Sequence, residues 1–257
     1  MKPHERKPLV STFAVLGALF IWFLVGELEL TSPLFLPHPL DVLETLWDLL
    51  NDGYRQVPLW QHIFASVSRA MIAFLVASVT GIPVGLLMGM FPTLNALLNP
   101  FVQFLRPLPK LALIPLVIVW FGIGEFSKFL LIYLATFLTI VVSASAAVMS
   151  VKEGRLRVAR SLGFNNFQLF MHVIFPSALP ELFTGVRVGI GIGWTTLIAA
   201  EMIASTTGLG WMVLNASEYL RTDVVMLGIL LLGITGYLID FSLVTAQRLT
   251  IHWMGKD

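Results

Sequence analysis

The 257-residue sequence contains no cysteine. Disulfide frameworks, thiol nucleophiles and cysteine-bearing metal sites are therefore excluded. Charge is scarce too: Asp, Glu, Lys and Arg make up 12% of residues, against 57% hydrophobic. A soluble domain so short of polar side chains could not cover its core, so composition places the chain in a lipid bilayer. The formal net charge of +1 carries no signature of a nucleic-acid binder. The five histidines (His4, His38, His62, His172 and His252) stand far apart, without ligand spacing. No Gly-x-x-x-x-Gly-Lys-Ser/Thr, His-Glu-x-x-His or Gly-x-Ser-x-Gly occurs. The chain is thus expected to hold no nucleotide, metal or other cofactor of its own, and not to be an enzyme.

What is present is a succession of apolar runs. Residues 8–26 carry no charge and follow Lys2, Arg6 and Lys7, which fits both a signal peptide and a first span. The run ends in Leu24-Val25-Gly26-Glu27, a poor cleavage site, so an uncleaved helix is expected. Pro33, Pro37 and Pro39 then keep the chain extended, and Asp41 to Asn51 reads as a short helix, with Asp41 and Glu44 as its capping box. Its face of Leu43, Leu46, Trp47 and Leu50 suits a helix lying on the bilayer or a docking surface for an external partner.

From Ala70 to Leu105 no charge occurs, more than one crossing requires, and Phe91-Pro92-Thr93 is the natural turn within it. Arg106-Pro107-Leu108-Pro109-Lys110 interrupts the next run. Such backbone is tolerated at membrane depth only against protein or water. The run after it is rich in small and hydroxyl residues, among them Thr136, Thr139 and Ser143. In the fifth, Gly185, Gly189 and Gly193 recur every fourth residue, a close-packing face. The expectation is an all-α polytopic protein, a single permease-like domain over 1–257, with six spans at about 9–28, 64–90, 95–121, 128–150, 178–204 and 224–247. With both termini inside, Lys2, Arg6, Lys7, Arg106, Lys110, Lys152, Arg155, Arg157, Arg160, Arg187, Arg248 and Lys256 fall at or near the inner face. Only Arg55, Lys128 and Arg221 fall outside, and Arg69 stays within the membrane, so the positive-inside rule favours this topology.

The chain is organised around a basic insert over about 152–175, cytoplasmic in this topology. Gly163 can end one helix in the left-handed conformation, and Asn165 or Asn166 can cap the next. The resulting helix–turn–helix would offer Phe164, Phe167 and Phe170 to a partner's cleft, unless they pack back on the inner ends of the spans.

Arg157-Val158-Ala159-Arg160-Ser161-Leu162-Gly163, nine residues, then Val173-Ile174-Phe175-Pro176 resembles the EAA loop of ABC importer permeases: Glu-Ala-Ala, three residues, Gly, nine residues, Ile-x-Leu-Pro. The spacing matches throughout. Arg157 stands where the family has Glu and Val158 where it has the first Ala, with Val173 and Phe175 as conservative departures. Ser32 to Pro37, Gly81-Ile82-Pro83-Val84-Gly85, Trp120 to Gly124, Ala199-Ala200-Glu201 and Gly208-Leu209-Gly210 resemble the branch that imports taurine, alkanesulfonates, nitrate and bicarbonate. Arg157, Gly191 to Trp194 and Arg221 to Val225 are most like its taurine members.

The resemblance covers nearly the whole chain and implies a type I importer permease. Two copies would form the pore in a bacterial inner membrane. Two ATPase subunits, holding ATP and Mg, would dock on the insert from the cytoplasm, and an external binding protein would deliver the substrate. Coupling would run through Arg157 to Phe167 (including Phe164, Asn165 and Asn166) and through Pro176 at the junction with the fifth span. Any salt bridge that the family's Glu makes cannot form in the same sense at Arg157. The candidate path or gate residues are Arg69, Arg106, Lys110, Thr136, Thr139, Ser143, Thr195, Thr196 and Glu201. Arg69 and Glu201 sit at similar depth and form either an ion pair between spans or part of a gate. Arg106 and Lys110 either snorkel to headgroups or give the path a positive field. Asp240 is expected to pair or to face the interior. An ion-driven secondary transporter is the competing class.

Overall fold

In a computed structural model of the chain, the described residues are 3–251, with side chains from Thr12 onward. Lys2, His252 and Lys256 lie outside them, as do the side chains of Arg6 and Lys7. The described residues are almost entirely helical: α1 (Pro3–Glu27), α2 (Pro39–Asn51), α3 (Leu59–Met90), α4 (Pro92–Leu105), α5 (Lys110–Phe121), α6 (Glu125–Met149), α7 (Glu153–Ser161), α8 (Asn166–Leu169), α9 (Phe175–Ala204), α10 (Leu209–Glu218) and α11 (Thr222–Thr250).

By length and composition, α3, α6, the run Asn166–Ala204 and α11 can each cross a membrane alone. The expected span over 95–121 is not one helix. It is α4 and α5, bent by 97° at the Arg106–Pro109 break. The first expected span falls on α1, whose described apolar stretch, Thr12–Glu27, is shorter than a full crossing. Six uninterrupted spans are therefore not what the described residues present.

Helix α6 is the axis, with α3 packed on one side and α9 on the other. In lipid, apolar burial gives no drive to bring helices together, so close backbone approach and packing must do it. Two glycine rows provide that approach. Gly81, Gly85 and Gly89 of α3 press on Phe137, Ile140, Val141, Ala144, Ser145 and Val148 of α6. Gly185, Gly189 and Gly193 of α9 press on Ser143, Ile140 and Thr136. A Cβ at Gly193 would meet Thr136 Oγ1 and come within 2.6 Å of Phe74, whereas one at Gly191 would meet nothing within 4 Å. Gly193→Val is expected to destabilise the protein by about 1–3 kcal/mol, and Gly191→Val far less. Thermal unfolding of the two purified variants in detergent measures the difference, and equal midpoints would remove this account of the packing.

At the end away from α7 and α8, the helices α2, α10 and α11 form a cap around Val42, Leu49, Leu59, Met212 and Val224. Helix α2 begins differently from expectation. His38, not Asp41, is its cap: His38 Nδ1 accepts from the Leu40 amide at 3.2 Å, and Pro39 occupies the first turn. A proline there fixes φ where its missing N–H costs nothing, so the helix starts before the aspartate can cap it. Tyr54, on the loop after α2, donates its hydroxyl to Asn215 of α10. Helix α1 is attached mainly at its C-terminal end, through Trp22 Nε1 donating to the Pro37 carbonyl and the Phe23–His38 ring contact.

At the opposite end, α7 and α8 meet in the turn expected at Gly163, and of the two candidate caps Asn165 takes the role. Gly163 has φ +85°, the Phe164 amide bonds to the Ala159 carbonyl and the Gly163 amide to that of Arg160. This is a Schellman closure. Asn165 caps α8 reciprocally with Gln168, at 2.8 and 3.0 Å. Pro176 and Pro180 do not break the chain there. A π turn over Phe170–Ile174 passes directly into α9, giving one helical run from Asn166 to Ala204. The wider turn puts the Phe175 amide on the Phe170 carbonyl and frees the space that the Pro176 ring needs.

Candidate functional site: a half-open cavity and the clasp beyond it

A cavity of about 840 Å³ lies between the α4–α5 bend, α6 and α9. Along α9 its lining runs from Glu181 to Met202. At 1.5 Å per residue that is roughly 30 Å, about the thickness of a bilayer's hydrocarbon. Arg106, Lys110, Thr139, Ser143, Thr195 and Thr196, all candidates from the sequence, line it together. Glu181 and Thr184 also line it and were not among the candidates. Thr136 does not line it. It is fully buried under Gly193, because the glycine row draws α6 and α9 together at that level.

The bend holds two cations of different character. The Lys110 ammonium donates to the carbonyls of Leu105, Arg106 and Leu108, at 3.3 and 3.0 Å for the first and last. The Leu105 and Arg106 carbonyls close α4 without an intrahelical partner, the Leu108 carbonyl lies in the break itself, and a cation there also offsets the helix dipole. Lys110 therefore splints the break and does not snorkel. The Arg106 guanidinium is exposed and has no carboxylate or hydrogen-bond acceptor among the described residues.

Arg69 and Glu201 do pair, but away from this cavity and within a larger clasp. Arg69 Nη1 lies 2.8 Å from Glu201 Oε1, while its Nε and Nη2 hold Glu125 at 2.7 and 2.9 Å. Arg69 also donates to the Thr207 carbonyl at 2.7 Å. One guanidinium thus joins α3, α6, α9 and the segment before α10. The Glu201 side chain is fully buried and receives the Ser66 hydroxyl and the Gly210 amide. The Leu209 amide bonds to Ser66, and the Gly208 amide to His62 Nδ1. The first amides of α10 therefore point into an acidic pocket, where the positive end of the helix dipole favours an anion.

Gly208 has φ +125°, and a Cβ there would strike the Glu201 carboxylate. This explains Gly208-Leu209-Gly210 in terms of backbone geometry. Lys128 completes the group at 2.7 Å from Glu125. Glu125, Ser66, His62 and Thr207 were not singled out from the sequence. A signal for two of them was legible: His62, Ser66 and Arg69 fall at i, i+4 and i+7, one polar stripe on an apolar helix.

Arg187, counted above toward the inner rim, lies mid-helix in α9. It holds Asp240 of α11 with two bonds of 2.8 Å, so Asp240 does pair.

On the elbow, Ala159 and Leu169 are buried against Leu86, Ala144 and Leu182, which ties α7 and α8 to the ends of α3, α6 and α9. Phe170, at the start of the π turn, packs into the same cluster, so of the two alternatives for the three phenylalanines it takes the one that packs back on the spans. Phe167 is 71% exposed, and Val158 and Leu162 stand out with it. Arg157 pairs with Glu153 one turn earlier, at 2.5 Å.

Residues 81–255 match the family model described as "Binding-protein-dependent transport system inner membrane component". The chain is 48% identical over 99% of its length, and 93% of the relative's, to the "Taurine transport system permease protein TauC" of Escherichia coli (strain K12). It is 39% identical over 94% of its length, and 90% of the relative's, to the "Putative aliphatic sulfonates transport permease protein SsuC" of the same strain. Among solved structures, an inward-facing MetNI methionine ABC transporter chain is similar in fold, with TM-score 0.64 and 20% identity over 80% of this chain and 97% of that one.

Proposed function

Since the chain belongs to the family of inner-membrane components of binding-protein-dependent transport systems, and is a permease subunit of an ABC transporter, we propose that it carries a small sulfonate, taurine first among them, through the cavity along α9. The observation that carries this reading is the continuity of one helix. The elbow's second arm and the cavity's longest wall are the same helical run, Asn166 to Ala204. A push on the elbow therefore displaces the wall as a rigid body, without loss in a hinge. In this reading Pro176, at the junction where coupling is expected, lies within a continuous lever.

A second copy closes the open side of the cavity, which only three segments of this chain line. Two ATPase subunits, supplying ATP and Mg, dock on the apolar tip of Val158, Leu162 and Phe167. An external binding protein delivers the substrate at the opposite end, beside the clasp. Both chain termini and the elbow then lie in the cytoplasm, as the distribution of Lys and Arg supports. Arg157 keeps its pairing within α7, to Glu153, so docking here relies on apolar contact more than on the charge that the family's Glu would bring.

The test is uptake of labelled taurine into proteoliposomes. The expected result is ATP-dependent uptake when this chain is reconstituted with its ATPase and binding protein, and none by the chain alone. Uptake by the chain alone, driven by an ion gradient, would replace this reading with a secondary transporter. Uptake of nitrate or bicarbonate in place of sulfonates would keep the machine and change its cargo.

A further inference from the structure

The cavity's polar groups are sorted by hydrogen-bonding role, and this sorting selects among sulfonates. The charged side chains that line it are Arg106, Lys110 and Glu181. Lys110 is committed to the backbone carbonyls of the α4–α5 break. Glu181 receives one bond, from the Ser150 hydroxyl at 2.5 Å, and keeps acceptor capacity. The threonines are also committed, in one direction. Thr184 donates to Pro180, Thr195 and Thr196 to Ile192, and Thr139 to Ala135. A hydroxyl whose single hydrogen is spent on its own helix can only accept from a ligand. The walls formed by α9 and α6 therefore present lone pairs, and end in a carboxylate. Arg106, with up to five N–H groups and no acceptor among the described residues, is the strong donor. Ser143 is the one lining hydroxyl not bonded in this way.

We infer that this cavity is a site for a small zwitterion, its acidic end held by Arg106 and its ammonium end by Glu181 with the lone pair of Thr184 one turn along α9. This rests on the permease reading above and deepens it. A sulfonate offers only acceptors, so it is served by Arg106 and refused by Glu181 and Thr184. An ammonium offers three donors and suits that pair. An alkanesulfonate without the amino group leaves the acceptors unpaired and faces the Glu181 charge. Glu181 and Thr184 are exposed in the single chain; once a second copy closes the cavity, polar groups left unpaired there reject an analogue more strongly than a loss of apolar contact alone. The arrangement thus distinguishes an aminoalkanesulfonate from an alkanesulfonate of the same length inside the membrane, independently of any binding protein.

The experiment uses the full complex of permease and ATPase in nanodiscs, without binding protein. Displacement of labelled taurine by unlabelled taurine and by ethanesulfonate gives the preference for the amino group. In wild type, taurine is expected to bind at least about tenfold more tightly than ethanesulfonate. In Glu181→Gln this ratio should fall several-fold while ethanesulfonate binding holds or improves, and Glu181→Asp should restore part of it. In Arg106→Gln both ligands should weaken together, leaving the ratio in place. Variants are compared at equal amounts of assembled complex, so loss of assembly cannot imitate loss of selectivity. An unchanged ratio in Glu181→Gln, undiminished binding in Arg106→Gln, or no saturable taurine binding to a wild-type complex that still imports taurine would overturn the inference and leave the permease reading intact. A wild-type complex that imports no sulfonate would bring down both.

Discussion

Arg69→Met is expected to destabilise the protein by about 3–5 kcal/mol, the scale on which one partner is removed from a buried ion pair. The large value follows from what stays behind. Glu201 has a fully buried side chain and would keep its charge in the interior with only the Ser66 hydroxyl, the Gly210 amide and the end of α10 to stabilise it. The Thr207 carbonyl would lose its donor, and Glu125 would no longer bind α6 to α3. Glu201→Gln should cost less, because the amide can still accept from Ser66 and Arg69 retains Glu125. Thermal midpoints in detergent and the yield of folded protein measure both, and an Arg69→Met protein as stable as wild type would dismiss the clasp as structure.

Exchanging the two charges should not restore stability. An arginine at 201 would meet the Gly210 amide and the positive end of α10, and a glutamate at 69 would face Glu125. The environment around the pair, more than the pair itself, dictates which residue carries which sign.

That environment also marks how far the sequence could be read. The elbow's turn was legible, with its cap narrowed to Asn165 or Asn166, because its geometry is local. Gly163 permits a positive φ, and Asn165 lies three residues before Gln168, so turn and cap follow from neighbours in the chain. The glycine row of α9 was legible from spacing alone, and the equal row of α3, Gly81, Gly85 and Gly89, could have been read in the same way. Arg69 and Glu201 could be matched because an isolated charge in an apolar span needs a partner. Glu125 could not be matched in this way. It lies in what reads as a short loop, and only the packing of α3 on α6 turns it toward Arg69.

The same limit applies in the cavity. Lys110 and Arg106 look alike in sequence, and the 97° bend alone decides that one closes on backbone carbonyls while the other stays open. The passage of the helix through Pro176 was hidden for a related reason. A proline ordinarily argues for a stop, and here a preceding π turn removes the clash that would impose one. Thr136 was mistaken for a lining residue because periodicity shows which face a residue shares, but not whether a neighbouring helix already covers it.

The second large effect is expected at Phe167. Its side chain is 71% exposed at the elbow tip and contributes little to the fold, so Phe167→Ser should leave the thermal midpoint of the isolated permease nearly unchanged. An aromatic anchor at the centre of an interface is worth about 2 kcal/mol or more, roughly 30-fold in affinity. The variant should therefore bind the ATPase subunit about 30-fold more weakly and lose most ATP-driven uptake, while uptake recovers partly when ATPase is added in excess. Phe170→Ser differs in kind. Phe170 packs against the cluster that joins the elbow to α3, α6 and α9, so its loss should lower the thermal midpoint of the permease itself. The two phenylalanines, three residues apart, thus separate grip from transmission: one is needed only when the partner is present, the other even when it is absent. Normal ATPase affinity in Phe167→Ser would move the contact off the elbow tip. A stability loss in that variant equal to that of Phe170→Ser would mean that the tip is part of the fold and not a surface awaiting a partner.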